Sequence, residues 1–138
     1  MKLLILCTGN SCRSQMAEGF FRAALGDRAE IYSAGVEAHG INPYAARAMA
    51  EVGIDINTHT SDLVGKYLGV GITHLITVCD SAAQLCPAFP EQTVAVHHSF
   101  PDPADATGTD DEKMVVYREV RDAIRAYSAE WAAEYLPA

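Results

Sequence analysis

Cys7 and Arg13 frame the segment Cys7-Thr8-Gly9-Asn10-Ser11-Cys12-Arg13-Ser14, in which an apolar run ends on a thiol and a helical pattern follows at once. A tight loop between a buried strand and a helix N-terminus aims several backbone N–H groups at one point, and the helix dipole adds positive potential there. Such a loop cradles an oxyanion. Arg13 suits the cradle as a planar two-pronged donor, and the same field favours the thiolate of Cys7, the form that acts as a nucleophile. Gly9 and Asn10 suit the turn, because both tolerate positive φ. The bare Cys-x5-Arg spacing is weakly specific. The preceding strand, the internal Gly-Asn, Ser14 and the following helix give it meaning. The loop lacks a Gly-Lys-Ser/Thr ending, so a nucleoside triphosphate is not the expected ligand.

Two further groups carry possible chemistry. Cys79 and Cys86 are separated by Asp-Ser-Ala-Ala-Gln-Leu. If that segment is helical, the sulfurs stand roughly 10 Å apart along the axis, too far for a disulfide without unwinding. A bond between them then reports a conformational change. Two small buried hydrophobes are the alternative, and a zinc site of Cys79, Cys86, His97 and His98 is a third, although its spacing matches no usual ligand pair. Asp102-Pro103 reads first as a turn. At the carboxyl edge of a sheet, a carboxylic acid there is also placed to protonate an oxygen leaving a group on Cys7, provided apolar cover or a nearby anion raises its pKa. Phe100, Pro101 and Pro103 are the candidates for that cover.

The elements that must position these residues follow from the hydrophobic pattern. Lys2 to Cys7 reads as a buried strand, and Ser14 to about Leu25 as a helix with Met16, Phe20, Phe21 and Ala24 inward. Ala29 to Ser33 is a second strand. Pro43 starts a helix with Ala46, Met49 and Ala50 inward, stopping at Gly53. Thr60 or Ser61 is expected to cap a short helix near Leu63 to Leu68, and Thr73 to Cys79 and Thr93 to His97 are the last two strands. A long helix begins at Thr109, with Glu112 three residues on and a stripe of Val116, Val120, Ile124, Tyr127 and Trp131. The alternation predicts an α/β three-layer sandwich with a central four-stranded parallel sheet. Ligands of such sheets bind beyond the carboxyl ends of the strands, where Cys7, Cys79 and the loop after His97 emerge.

With 138 residues and 49% hydrophobic content, the chain suits one domain, 1–138, with a proper core. The apolar run at its start is too short for a signal-peptide core or a membrane span, so a cytoplasmic, membrane-free protein is expected. Four cysteines in that compartment are expected as thiols rather than structural disulfides. A formal charge of −8, from 18 acidic against 10 basic residues, argues against nucleic acid as a partner. No element reads as a spare apolar face, which makes a monomer the expected state.

Taken together, the loop Cys7 to Ser14, the following Gln15-Met16-Ala17-Glu18-Gly19, Ser33-Ala34-Gly35, His59-Thr60-Ser61-Asp62, the Cys79 and Cys86 pair and Asp102-Pro103 resemble the thioredoxin-coupled arsenate reductases. Those proteins share the low-molecular-weight protein tyrosine phosphatase fold. The resemblance runs nearly end to end. Its loop and Asp-Pro pair are common to the phosphatases; the two later cysteines mark the reductase branch. It implies that Thr8, Gly9, Asn10, Ser11, Cys12, Arg13 and Ser14 hold arsenate, with phosphate or sulfate competing. Cys7 would attack, Ser14 would help the thiolate and Asp102 would protonate the departing oxygen. Cys79 would then expel arsenite by forming a disulfide with Cys7, and Cys86 would take over that disulfide and present it to thioredoxin. No tightly bound cofactor is implied. Asn10, Glu18, Ser33 and Asp62 match positions that hold potassium in some members, with a purely hydrogen-bonded loop support as the alternative. Cys12 is expected to pack rather than react; His59 and His98 have room to lie near the site, but nothing in the sequence demands it. Two departures are that His98 stands where an aromatic residue is common, and Pro101 replaces an acidic residue. The rival activity is that of a phosphatase hydrolysing a phosphocysteine with Asp102 as acid and then base, although Ala104 and Asp105 stand where aromatic residues grip phosphotyrosine. A non-catalytic oxyanion-binding or redox-sensing module is a third reading.

Overall fold

Leu3, Leu4, Ile5 and Leu6 are fully buried in strand β1 (Lys2–Cys7), and successive strand side chains point to opposite faces, so both faces of β1 are covered. The computed structural model describes residues 1–136. In it β1 lies between β2 (Glu30–Gly35) and β3 (His74–Thr77), with β4 (Val94–His97) at the edge beyond β3. All pairings are parallel, in the order β2-β1-β3-β4, which is the expected α/β sheet. The register sets Cys7 beside Gly35 and Leu6 beside Thr77. The ends of β1, β2 and β3 therefore deliver Cys7, Gly35 and, two residues past Thr77, Cys79 to one edge.

The helices are α1 (Arg13–Leu25), α2 (Pro43–Ala50), α3 (Asp80–Leu85) and α4 (Asp110–Tyr135). Asn42 caps α2 by accepting from the backbone N–H groups of Tyr44 and Ala45, with Pro43 supplying the preset φ of the first turn. Thr109 and Glu112 form the expected capping box of α4.

Several inward faces differ from the expected ones. In α1 the buried line runs through Phe21 and Leu25, four apart, and leaves Ala24 exposed. In α2 it follows Ala45, Ala48 and Met49 with Ala46 beside it, while Ala50 is exposed. In α4 it passes through Met114, Tyr117, Arg121, Ile124, Ser128 and Trp131 at alternating three and four spacing, with Val120 buried alongside and Val116 and Tyr127 half-buried on its flanks. Arg121 can face inward because its Nη1 donates to the Ala48 carbonyl and to Glu51, each at 2.9 Å. The short helix near residue 63 is a 3-10 turn, Val64–Tyr67, without a side-chain cap. Thr60 and Ser61 do not cap it because their hydroxyls are used elsewhere, on Asp62 and on the Asn10 carbonyl.

Candidate active site

The loop from Thr8 to Cys12 is turned inside out by its neighbours. The carbonyls of Thr8, Gly9 and Ser11 accept from the backbone N–H groups of Glu37, His39 and Asn42 at 2.8, 2.9 and 3.0 Å. The Asn10 carbonyl accepts from the Gln15 amide at 3.1 Å and the Ser61 hydroxyl at 2.8 Å, and the Cys12 carbonyl accepts from the Met16 N–H within the helix start. With every carbonyl held outward, the amides face the other way. Among the described residues, no backbone N–H from Thr8 to Cys12 finds a protein acceptor. A ring of free amides at a helix start is an anion receptor.

Asn10 is the hub of this loop. It has φ 46°, a positive value that Gly9 does not share. Gly9 is small for another reason: a Cβ there would lie 2.6 Å from His39 Nδ1, because the imidazole rests on the loop. The fully buried Asn10 side chain accepts from the Asp62 backbone N–H at 2.7 Å, which fixes which end of the amide is oxygen. Its nitrogen then donates to Ser14 at 2.9 Å and Ser33 at 3.0 Å. Ser33 in turn donates a hydrogen bond to the Glu18 carboxylate at 2.6 Å.

A cavity of about 300 Å³ opens above the loop, bounded by Cys7, Thr8, Gly9, Ser11, Cys12, Arg13, His39, Asn42, Asp102 and Ala104. Cys7 is buried, with Ser14 Oγ 3.0 Å from its sulfur. Arg13 donates to the Phe100 carbonyl at 3.0 Å and has its other nitrogen 3.5 Å from Asp102. Asp102 in turn accepts from the Ala104 N–H, which begins the 3-10 turn Pro103–Asp105. Phe100 and Pro103 are buried there, whereas Pro101 is exposed and gives no cover. Cys12 lines the cavity, but burial, with Asp102 nearby, pushes its thiol far above the ordinary range and keeps it protonated.

Cys79 is buried with its sulfur 3.2 Å from Thr8 Oγ1, the hydroxyl next along the chain from Cys7. Cys86 is half-buried at the far end of α3, its thiol pushed up by burial. The helix fills the interval between them, so joining the two sulfurs requires it to unwind. The zinc arrangement is not assembled: His97 points at Asp80 and Thr77, and His98 stacks on Tyr127 with ring centres 4.2 Å apart. His98 lines no part of the cavity above the loop.

On the opposite side of the loop, Glu18, Thr60, Asp62, His59 and Tyr67 line a second, polar cavity of about 360 Å³. Asn10 and Ser33 reach it through Glu18 and the Asp62 backbone. These oxygen donors, with two carboxylates among them, suit a hard cation in chemistry. Glu18 is paired with Arg22 at 2.9 Å and Asp62 with Lys66 at 3.3 Å. His59 titrates below the ordinary imidazole range because it is buried, and its Nδ1 lies 3.0 Å from Oε1 of the Gln15 side chain, so it supports the loop through Gln15.

Sequence reasoning missed Gln15, His39 and Asn42, and gave Gly35 no role of its own. Gly35 packs so closely under the loop that a Cβ would sit 2.7 Å from both Asn10 N and Thr8 O. Asn42 before Pro43 is a capping signal legible in the sequence, and its amide also donates to Tyr117 at 3.0 Å. His39 carries no such signal.

A parallel sheet that brings a buried thiol, an arginine and a ring of free amides to its carboxyl edge defines an oxyanion-handling α/β protein. The chain belongs to the low molecular weight phosphotyrosine protein phosphatase family, whose model matches residues 2–136. It is 53% identical over 122 residues to an arsenate reductase of Halalkalibacterium halodurans, covering 88% of each chain. Its fold matches an arsenate reductase in an oxidized state with a TM-score of 0.81 at 28% identity, over 96% of this chain and 97% of that one. A tyrosine phosphatase of Erwinia amylovora shares the fold with a TM-score of 0.79 at 18% identity, over 96% and 91%.

Proposed function

We propose that the protein reduces arsenate to arsenite by a relay through Cys7, Cys79 and Cys86, with thioredoxin as the electron donor. The observation that carries this reading is the Cys79 sulfur lodged against Thr8 beside the cradle, with Cys86 one short helix away. The similarity to arsenate reductases over most of the chain supports it.

Arsenate enters the ring of amides and displaces Arg13 from its contact with Phe100 and Asp102. The Cys7 thiolate attacks arsenic, and an oxygen departs as water after Asp102 supplies a proton. The Cys79 thiolate then attacks the Cys7 sulfur. A sulfur–sulfur bond forms, the sulfur–arsenic bond breaks, and its electron pair leaves with arsenic as arsenite. Cys86 next attacks Cys79, releasing Cys7 as a thiol and leaving a Cys79 to Cys86 disulfide. Thioredoxin reduces that disulfide by the same exchange. Free thiols of this kind suit the reducing cytoplasm. Phosphate and sulfate, which share the tetrahedral shape, compete for the cradle.

Potassium is proposed at Asn10, Glu18, Ser33 and Asp62, where it would supply fixed positive charge against the two carboxylates and stiffen the loop from behind. The chemistry does not run through it.

The test is an assay of the purified protein with thioredoxin, its reductase and NADPH. Arsenate-dependent loss of NADPH is expected, abolished by Cys79→Ser and by Cys86→Ser while Cys7 still reacts once. No such loss, together with rapid hydrolysis of aryl phosphates, would assign the cradle to a phosphatase instead.

A further inference from the structure

Helix α3 is held by very little of its own. It has six residues and buries only Ala82, while Leu85 is 64% exposed. An isolated helix of this length is unstable in water. Its capping residue, Cys79, makes no side-chain cap bond. A cavity of about 450 Å³ borders the helix on its Ala83 and Cys86 side, with Leu75, Phe89, Ala95 and His97 among its other walls, so that side of the helix is not packed against the sheet.

One side chain ties its first turn to the sheet. His97 ends β4 and is the register partner of Thr77, which ends β3. Its Nδ1 lies 2.7 Å from Thr77 Oγ1 and its Nε2 lies 2.9 Å from Oδ1 of Asp80, the first residue of α3. The Asp80 carboxylate can only accept, so Nε2 carries a proton. In the neutral ring, Nδ1 then accepts from the Thr77 hydroxyl. The three groups form one directional chain from strand to imidazole to helix.

We propose that His97 is a positioning residue that clasps the start of α3 to the sheet and sets how readily the Cys79 to Cys86 segment unwinds. The functional consequence rests on the relay proposed above. A Cys79 to Cys86 disulfide requires the helix to open, so whatever holds the helix closed favours the dithiol over the disulfide. Both partners are partly exposed, His97 by 40% and Asp80 by 78% of their side chains, which limits the clasp to about twofold to fivefold in that equilibrium.

Hydrogen exchange of the reduced protein without arsenate tests the clasp directly. His97→Ala and Asp80→Ala should each speed exchange across residues 79–86 by about twofold to fivefold. His97→Gln, which keeps an N–H near the Nε2 position, should restore protection. Asp80→Ala also loses a favourable place at a helix N-terminus. The double variant therefore decides: it should open no more than Asp80→Ala alone. Unchanged exchange in His97→Ala, or additive effects in the double variant, would overturn the clasp. In a Cys7→Ser background equilibrated in a buffer of reduced and oxidised dithiothreitol, the oxidised form taking up the two electrons, His97→Ala should favour the Cys79 to Cys86 disulfide by the same factor, and His97→Gln should not. If no such disulfide forms in any variant, the relay fails while the exchange result still judges the clasp.

Discussion

Ser14 Oγ stands 3.0 Å from the Cys7 sulfur and 2.9 Å from Asn10 Nδ2, and Asn10 can only donate at that contact. The Ser14 hydroxyl therefore receives one hydrogen bond from behind and keeps its single proton free to donate to the sulfur when Cys7 is a thiolate. A chain of backbone and side-chain donors, anchored at the Asp62 N–H, thus ends on the nucleophile.

Replacing Ser14 by Ala removes the last donor of that chain. A hydrogen bond to a charged group is worth about 1.5–3 kcal/mol, so kcat/KM for arsenate should fall roughly 10-fold to 100-fold. Alkylation of Cys7 by iodoacetamide at fixed pH should slow in parallel. If both rates stay within about threefold of wild type, Ser14 does not serve the thiolate.

Gly9 and Gly35 both lie against the loop, but they should respond differently to alanine. At Gly9 the added methyl meets the ring of His39, an exposed side chain that can swing away, so Gly9→Ala should fold normally. At Gly35 it meets the backbone of Thr8, Asn10 and Glu37, which cannot yield without dismantling the loop. Gly35→Ala should lose about 3 kcal/mol or more of stability in urea denaturation. Equal stability of the two variants would contradict this account of the loop.

These two glycines also mark where the sequence stopped being informative. The strand, loop and helix around Cys7, the capping box at Thr109 and the parallel sheet are written in local patterns: an apolar run, a cap three residues ahead of a glutamate, alternating elements. What turns the loop inside out is not local. It depends on residues 35–42 and 60–62 arriving from other elements, and nothing in their spacing announces that their N–H groups and hydroxyls will take the loop carbonyls. The same holds for Arg121, a charge on the apolar face of α4 that is acceptable only because Ala48 and Glu51 of a distant segment meet it.

Glu51 gives the pH dependence of that junction. Hydrogen bonds from Arg118, and then from Arg121, outweigh burial and pull its carboxyl down to about 2. The folded value lies below the unfolded one. The pairing therefore contributes fully above the ordinary carboxylate range and is lost as pH falls through the folded value. Glu51→Gln should lower Tm at pH 7, and the gap from wild type should hold down to about pH 5 and close toward pH 2. A gap that is constant across that range would exclude the ion pairs as its cause.

Asp102 touches Arg13 before any substrate arrives, at 3.5 Å. Asp102→Asn removes both a proton donor and a negative charge that competes for Arg13. Turnover of arsenate should drop by about 100-fold or more. Phosphate, as a competing oxyanion, should bind a few-fold tighter. Loss of turnover with weaker phosphate binding would point instead to collapse of the cavity, and unchanged turnover would remove Asp102 as the acid.

Behind the cradle, Glu18 and Asp62 place two carboxylates around one polar cavity, with Arg22 and Lys66 as their counter-charges. Arg22 meets the buried Glu18 at 2.9 Å, whereas Lys66 meets the less buried Asp62 at 3.3 Å, so the chain's own cations balance the first carboxylate better than the second. A potassium ion held at Asn10, Glu18, Ser33 and Asp62 would bind the folded protein alone and raise its stability by mass action. Tm in potassium chloride should therefore exceed Tm in tetramethylammonium chloride at equal ionic strength, and Asp62→Asn should erase the difference. Equal Tm values in the two salts would mean that Arg22 suffices, and that the hydrogen bonds from Asn10 through Ser33 to Glu18 support the loop unaided.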